Sequence, residues 1–149
     1  MTTQSNQLRP QDLRIGNLVT VNLEGGGENR YFHITGIHQT IVPERSITYN
    51  VCIADLGEKL TRYSVFIEYI KPIPLTKEIL LKCGFTKKHD SWYSNPVGNF
   101  LFGCDEIYKN RYDLHINNET GGIRLRIYYV NQLQNIVASL TDKELEVKL

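Results

Sequence analysis

Between Tyr112 and Ile127 the chain spells out two arms of one hairpin. Apolar and polar residues alternate on both sides of the polar stretch Asn118-Glu119-Thr120-Gly121-Gly122. That is the period of a half-buried strand, not of a helix. Placing Ile116 across from Ile123 sets Leu114 opposite Leu125 and Tyr112 opposite Ile127, with all six apolar side chains on one face. The same register sets Asp113 against Arg126 and His115 against Arg124 on the other face. A slip of one residue would turn every apolar side chain to water, so the pattern specifies its own register. A chain carrying it must contain an antiparallel sheet with one buried face.

Weaker versions of this alternation recur along the chain. Val19, Val21 and Leu23 alternate with Thr20 and Asn22, and a turn is expected over Gly25-Gly26-Gly27-Glu28-Asn29. The run from Tyr31 to Ile37 is β-branched and aromatic, and Ile47, Tyr49, Val51 and Ile53 alternate. Leu56-Gly57-Glu58 reads as a turn before a fourth strand from Leu60 to Ile67. Short strands at this spacing predict an SH3-like small β-barrel over residues 1–73, behind a loose leader at 1–13. Pro72 and Pro74 in Lys71-Pro72-Ile73-Pro74 interrupt a sheet ladder, and the boundary between the halves is placed there.

Residues 74–149 read as helix, antiparallel sheet and packing helix, giving an α+β, mostly-β chain. Thr76 suits an N-cap, Gly84 a C′ position, and Phe85 can fold back on Leu80, so the first helix is short. Strands are expected around Trp92-Tyr93 and from Phe100 to Cys104, ahead of the hairpin. Val130, Leu133, Ile136, Val137 and Leu140 recur at helical spacing. Thr141-Asp142-Lys143-Glu144 matches a capping box for a further turn, and Leu145, Val147 and Leu149 alternate as a short closing strand would.

Charge and cysteine usage narrow the function. Lys and Arg number 17 against 16 Asp and Glu, a net +1, which argues against non-specific binding to duplex DNA. Cys52, Cys83 and Cys104 are odd in number and widely spaced, which suggests neither a disulfide framework nor a zinc site. The polar N-terminus carries no apolar signal core and no run is long enough to span a bilayer, so the expected location is cytoplasmic, with no membrane partner.

Catalytic patterns are lacking. Cys83 falls on the buried side of its helix, where a thiol is inert, and there is no G-x-S-x-G elbow. His89-Asp90 and Cys104-Asp105-Glu106 lack metal-ligand spacing, and neither a cofactor nor a metal is expected. Two glycine loops, Gly25 to Arg30 and Thr120 to Arg124, each place an arginine just after glycines, a pairing that suits phosphate but also suits hairpin turns. Basic residues interleaved with rings mark the second half. Lys109, Arg111, Arg124, Arg126, Trp92 and Tyr128 form the candidate ligand-binding set, since charge and stacking together hold nucleotides. A solvated sheet face with Arg126 paired to Asp113 is the plainer alternative.

Three separated stretches, Leu13-Arg14-Ile15-Gly16-Asn17-Leu18-Val19, Tyr69-Ile70-Lys71-Pro72-Ile73-Pro74-Leu75-Thr76 running into Ile79-Leu80-Leu81-Lys82-Cys83-Gly84-Phe85, and Tyr129-Val130-Asn131-Gln132-Leu133-Gln134-Asn135, resemble a family of small uncharacterised proteins encoded by phages and mobile elements of gut bacteria. Members often carry His where this chain has Asn131, and residues 86–128 fall outside the likeness. The family brings no activity and no functional residues to transfer. The resemblance implies a non-enzymatic phage protein in the host cytoplasm that acts by binding, in the manner of accessory proteins that sequester nucleotide immune signals. The alternative is an accessory module that binds a host protein or nucleic acid through the N-terminal barrel, and a second copy of the chain is a further candidate partner. A deep, basic, aromatic-lined pocket would favour the first reading and a flat patch the second.

Overall fold

The alternating segments form ten antiparallel strands among the residues described by the computed structural model, which are 7–22, 30–55 and 61–148. The chain divides into two compact units, Met1–Ile73 and Pro74–Leu149. In the first, strands β1 (Leu18–Val21), β2 (Tyr31–Val42), β3 (Arg45–Asp55), β4 (Arg62–Phe66) and β5 (Ile70–Pro72) make one sheet in the order β4-β3-β2-β1-β5. β4 and β5 are the two ends of this ladder and do not pair with each other among the described residues, so the sheet is antiparallel and mostly-β as expected while no closed barrel is seen. β4 is mostly exposed, with Val65 packed on the core and the Tyr63 ring edge-on to Phe32 on the same face. β5 ends at Pro72, which has no N–H to extend a ladder. Pro72 nevertheless pairs with Val19, as the last residue of an edge strand can.

A bulge sets which residues of β2 face inward. Ile34 pairs with Ile53 but Gly36 with Cys52, so one extra residue at Thr35 shifts the alternation. Phe32 and Ile34 are thereby joined on the core side by Ile37 rather than by a residue at 36. Leu8 and Leu13 are buried in the same core, so residues 7–13 are not a loose leader. β1 pairs with residues 31–33 of β2 and β4 with residues 50–54 of β3, leaving the distal part of the β2–β3 hairpin as a two-stranded arm. Ile41 and Ile47 stand exposed on that arm. The turns expected at 25–29 and 56–58 lie outside the described residues.

The second unit contains helix α1 (Lys77–Lys82), strands β6 (Thr86–Lys87), β7 (Trp92–Val97), β8 (Phe100–Tyr108), β9 (Arg111–Asn118) and β10 (Gly121–Ile127), and helix α2 (Val130–Thr141). Its sheet runs β10-β9-β8-β7-β6, each strand antiparallel to the next. Thr76 caps α1, its Oγ1 accepting the Ile79 N–H at 3.3 Å. Gly84 has φ 84°, and the Phe85 N–H donates to the Leu80 carbonyl at 3.1 Å, closing the expected Schellman turn. The β9–β10 register is the one read from the pattern, with Ile116 opposite Ile123, Leu114 opposite Leu125 and Tyr112 opposite Ile127. Tyr112, Leu114, Phe102 and Cys104 are fully buried on the core face, and Ile79 and Leu80 of α1 with Val130, Leu133 and Val137 of α2 are buried alongside.

Burial along β10 is less even than the pattern implies. Ile123 is 60% exposed and Leu125 38%, because β10 is the edge strand and has no neighbour on its far side. The chain after α2 also differs from expectation. Asp142 ends the helix in the left-handed region, and residues 143–148 form neither a new helical turn nor a strand. Leu145 is buried, and the segment's hydrogen bonds include those from the Lys143 N–H to Thr141 Oγ1 at 3.2 Å, from Gln134 Nε2 to the Leu145 carbonyl at 3.4 Å and from the Lys148 N–H to the Lys82 carbonyl at 3.0 Å. Among the described residues no helix is long and apolar enough to cross a membrane.

Candidate functional site: the outer face of the second sheet

Alternation puts every second residue of β7 to β10 on the face away from the core. Trp92 pairs with Asp105, Asp105 with Asp113, and Asp113 with Arg126, which makes one row across that face. The next row is Ser94, Gly103, His115 and Arg124. Trp92 leans from the first row into the second. A Cβ placed on Gly103 would overlap the six-membered ring of its indole, so the ring rests on bare backbone. His115 closes the far side, its ring centroid 5.0 Å from that of Trp92 at 59°. The His115 Nε2 is buried and makes no hydrogen bond among the described residues, and the tilted ring contact with Trp92 lies at this end of the indole.

The arginines are organised by Asp113, which is only 3% exposed. Arg126 donates its Nε–H to Asp113 Oδ1 at 3.0 Å. Arg124 donates its Nε–H to Oδ2 at 2.7 Å, and its Nη2 contacts the same oxygen. One carboxylate therefore fixes two guanidiniums side by side, while their outer N–H groups face water on side chains 60% and 55% exposed. Pairs this exposed add little stability, so the consequence of the arrangement is geometric. Arg111 shares the face one row further along β9, and Asp105 on β8 accepts a hydrogen bond from Ser91 Oγ at 2.7 Å. Three arginines against two aspartates leave a surplus of one positive charge.

The two guanidiniums, Arg126 first, hold the Asp113 carboxyl below its ordinary range. With the folded value depressed, the stabilisation is complete above the unfolded value and disappears only as pH falls through the folded one. Carboxyl NMR of the intact chain should find Asp113 ionised at a pH where exposed aspartates, near about 3.9, are half protonated. A midpoint at the ordinary value would contradict the shared pairing.

Of the six residues named from sequence, Trp92, Arg111, Arg124 and Arg126 share this face. Tyr128 lies just beyond the end of β10, two residues after Arg126, with its ring centroid 6.3 Å from that of Tyr129. Lys109 sits apart, exposed in the β8–β9 turn. Gly121 and Gly122 belong to the β10 ladder rather than to a phosphate-cradling loop, and the glycines at 25–27 lie outside the described residues. Gly103 and the burial of Asp113 were not anticipated. A glycine inside a strand is the signal that could have marked the first, because it commonly records the close approach of another group.

Other chemistry finds less support. Burial pushes the Cys83 thiol up to about 12 and the Cys104 thiol upward as well, which disfavours the reactive thiolate. Among the described residues no three His, Cys, Asp or Glu side chains gather as metal ligands. A cavity of about 390 Å³ lies beside the end of α1, lined by Leu81, Cys83, Asn95, Val97, Leu145 and Lys148 among others, and none of the six candidate residues lines it. Compared with family models, with curated proteins and with solved structures, the chain matches none.

Proposed function

We propose that the chain is a non-catalytic binding protein that takes a nucleotide-type group, a phosphate joined to a planar ring, on the outer face of its second sheet. The observation that carries this reading is the single buried carboxylate of Asp113 holding Arg124 and Arg126 on the same sheet face as the indole of Trp92, which is seated two strands away over Gly103. Two forks with fixed orientation suit a phosphate's oxygens, and an indole face suits a base. The phage origin and anti-defence role implied by the sequence resemblance belong to the same proposal.

The candidate residues lie on the outer face of a sheet and do not line the cavity beside α1, which favours the accessory-module reading over sequestration of a free nucleotide. The second sheet supports a nucleic-acid-binding module of this kind, whereas the module first expected was to act through the N-terminal unit. Calorimetry against mono-, di- and cyclic nucleotides and short oligonucleotides tests it. Arg124→Lys keeps the charge but loses the fork, and should weaken binding about tenfold, roughly the loss of one charge-assisted hydrogen bond. Unaltered ligand recovered on heating supports binding without turnover, and a converted product would make the protein an enzyme. Equal affinity for wild type and Arg124→Lys would remove Arg124 from the site.

A further inference from the structure

We infer that the physiological ligand of this face is a single-stranded nucleic acid laid across β7 to β10, not a free nucleotide or a duplex; this rests on the reading above. One side of the Trp92 ring is occupied by the Gly103 backbone and one end by His115, so the half-exposed indole offers a single outward surface. A base can stack there only if its own face is free, which a paired and stacked duplex denies and a single strand allows. The ring rests over β8 while Arg124 and Arg126 project from β10, two strands away, or about 10 Å. A chain of linked nucleotides can span that gap from the stacked base to a neighbour's phosphate. Arg111, one row beyond Arg126 on the same face, extends the line of donors.

Charge points the same way. A surplus of one positive charge on the face, in a chain of net +1, is too small a footprint for a duplex, whose binding rests on phosphate neutralisation. A strand held mainly by stacking needs few phosphate contacts, and an open face leaves both its ends free to continue.

Trp92 is the chain's only tryptophan, so its emission reports on this surface without labelling. The intact chain is titrated with thymidine and uridine monophosphates, with oligothymidylates and oligouridylates of rising length, and with a short duplex. The expected result is quenching by single strands of about six nucleotides or more at concentrations at least tenfold below the mononucleotide. The two sugar series then show whether DNA or RNA is preferred. The slope of log affinity against log salt should be no steeper than about −2, from three arginines at about 0.7 each. Quenching by mononucleotide as strong as by the longest strand would overturn the inference and leave the nucleotide-type site standing. Equal quenching by duplex, or a much steeper slope, would also overturn it. No binding of any nucleotide or oligonucleotide by emission or by calorimetry would remove the site itself.

Discussion

Leu114→Ala is expected to destabilise the second unit by about 2–5 kcal/mol, the usual cost of emptying a fully buried leucine site. Leu125→Ala, directly across the hairpin, should cost only about 1–2 kcal/mol, because 38% of Leu125 already faces water on an edge strand. The two leucines share one face and one register, so the difference isolates burial from strand pairing. Urea unfolding followed by Trp92 emission measures both in the unit that carries them. Equal costs, or a larger cost at Leu125, would mean that β10 is not an edge.

Asn17→Ala should cost about 1–3 kcal/mol in the first unit. Asn17 is fully buried, and its Oδ1 accepts the Arg14 N–H at 2.8 Å while its own N–H donates to the Arg14 carbonyl at 3.1 Å. Gly16, at φ 91°, supplies the left-handed residue that a type II turn requires between them. The Gly16 N–H donates to the Ile34 carbonyl at 2.8 Å, and the Ile34 N–H to the Asn17 carbonyl at 2.9 Å, so the turn is tied to β2. Removing the Asn17 amide strands the Arg14 N–H. Amide exchange at Ile34 should then accelerate roughly 5- to 150-fold, the same range expressed as an opening equilibrium. Ile15→Ser, at a residue 63% exposed in the same turn, should leave exchange nearly unchanged. Exchange unaffected by Asn17→Ala would show that the turn does not secure β2.

Gly16-Asn17 reads from the sequence as a turn into a strand, and the hydrogen bonds that tie it to β2 needed the structure. The β9–β10 register could be read directly, because both strands alternate without interruption and a slip of one residue exposes every apolar side chain. The α1 caps were legible for a similar reason, since Thr76, Gly84 and Phe85 act on backbone groups a few residues away. The five strands of the first unit were legible, but barrel closure was not, because it depends on what the two outermost strands meet and alternation within β1 to β4 is silent on that. The bulge at Thr35 escaped notice because one inserted residue reverses alternation without changing composition. The closing strand expected from Leu145 onward does not form over residues 145–148, because alternation supplies a face but no partner.

The site was legible in part. Pairing placed Asp113 opposite Arg126 and His115 opposite Arg124 from the sequence alone, and both pairs stand as read. The diagonal reach of Arg124 to Asp113 and the lean of Trp92 over Gly103 depend on side-chain direction, which register does not specify. Without them the arginines read as a solvated surface. With them, two oriented guanidiniums and a seated ring share one face, two strands apart.

The most direct test of that arrangement is an amide and side-chain NMR titration of the intact chain with a single-stranded oligothymidylate. One indole N–H signal exists, from Trp92, and the arginine Nε–H signals of Arg124 and Arg126 are held by Asp113. The account predicts that these three signals move together along one binding curve, with His115 following, while the first unit stays unperturbed. Shifts confined to the first unit, or an indole signal that stays fixed while the ligand binds elsewhere, would contradict it.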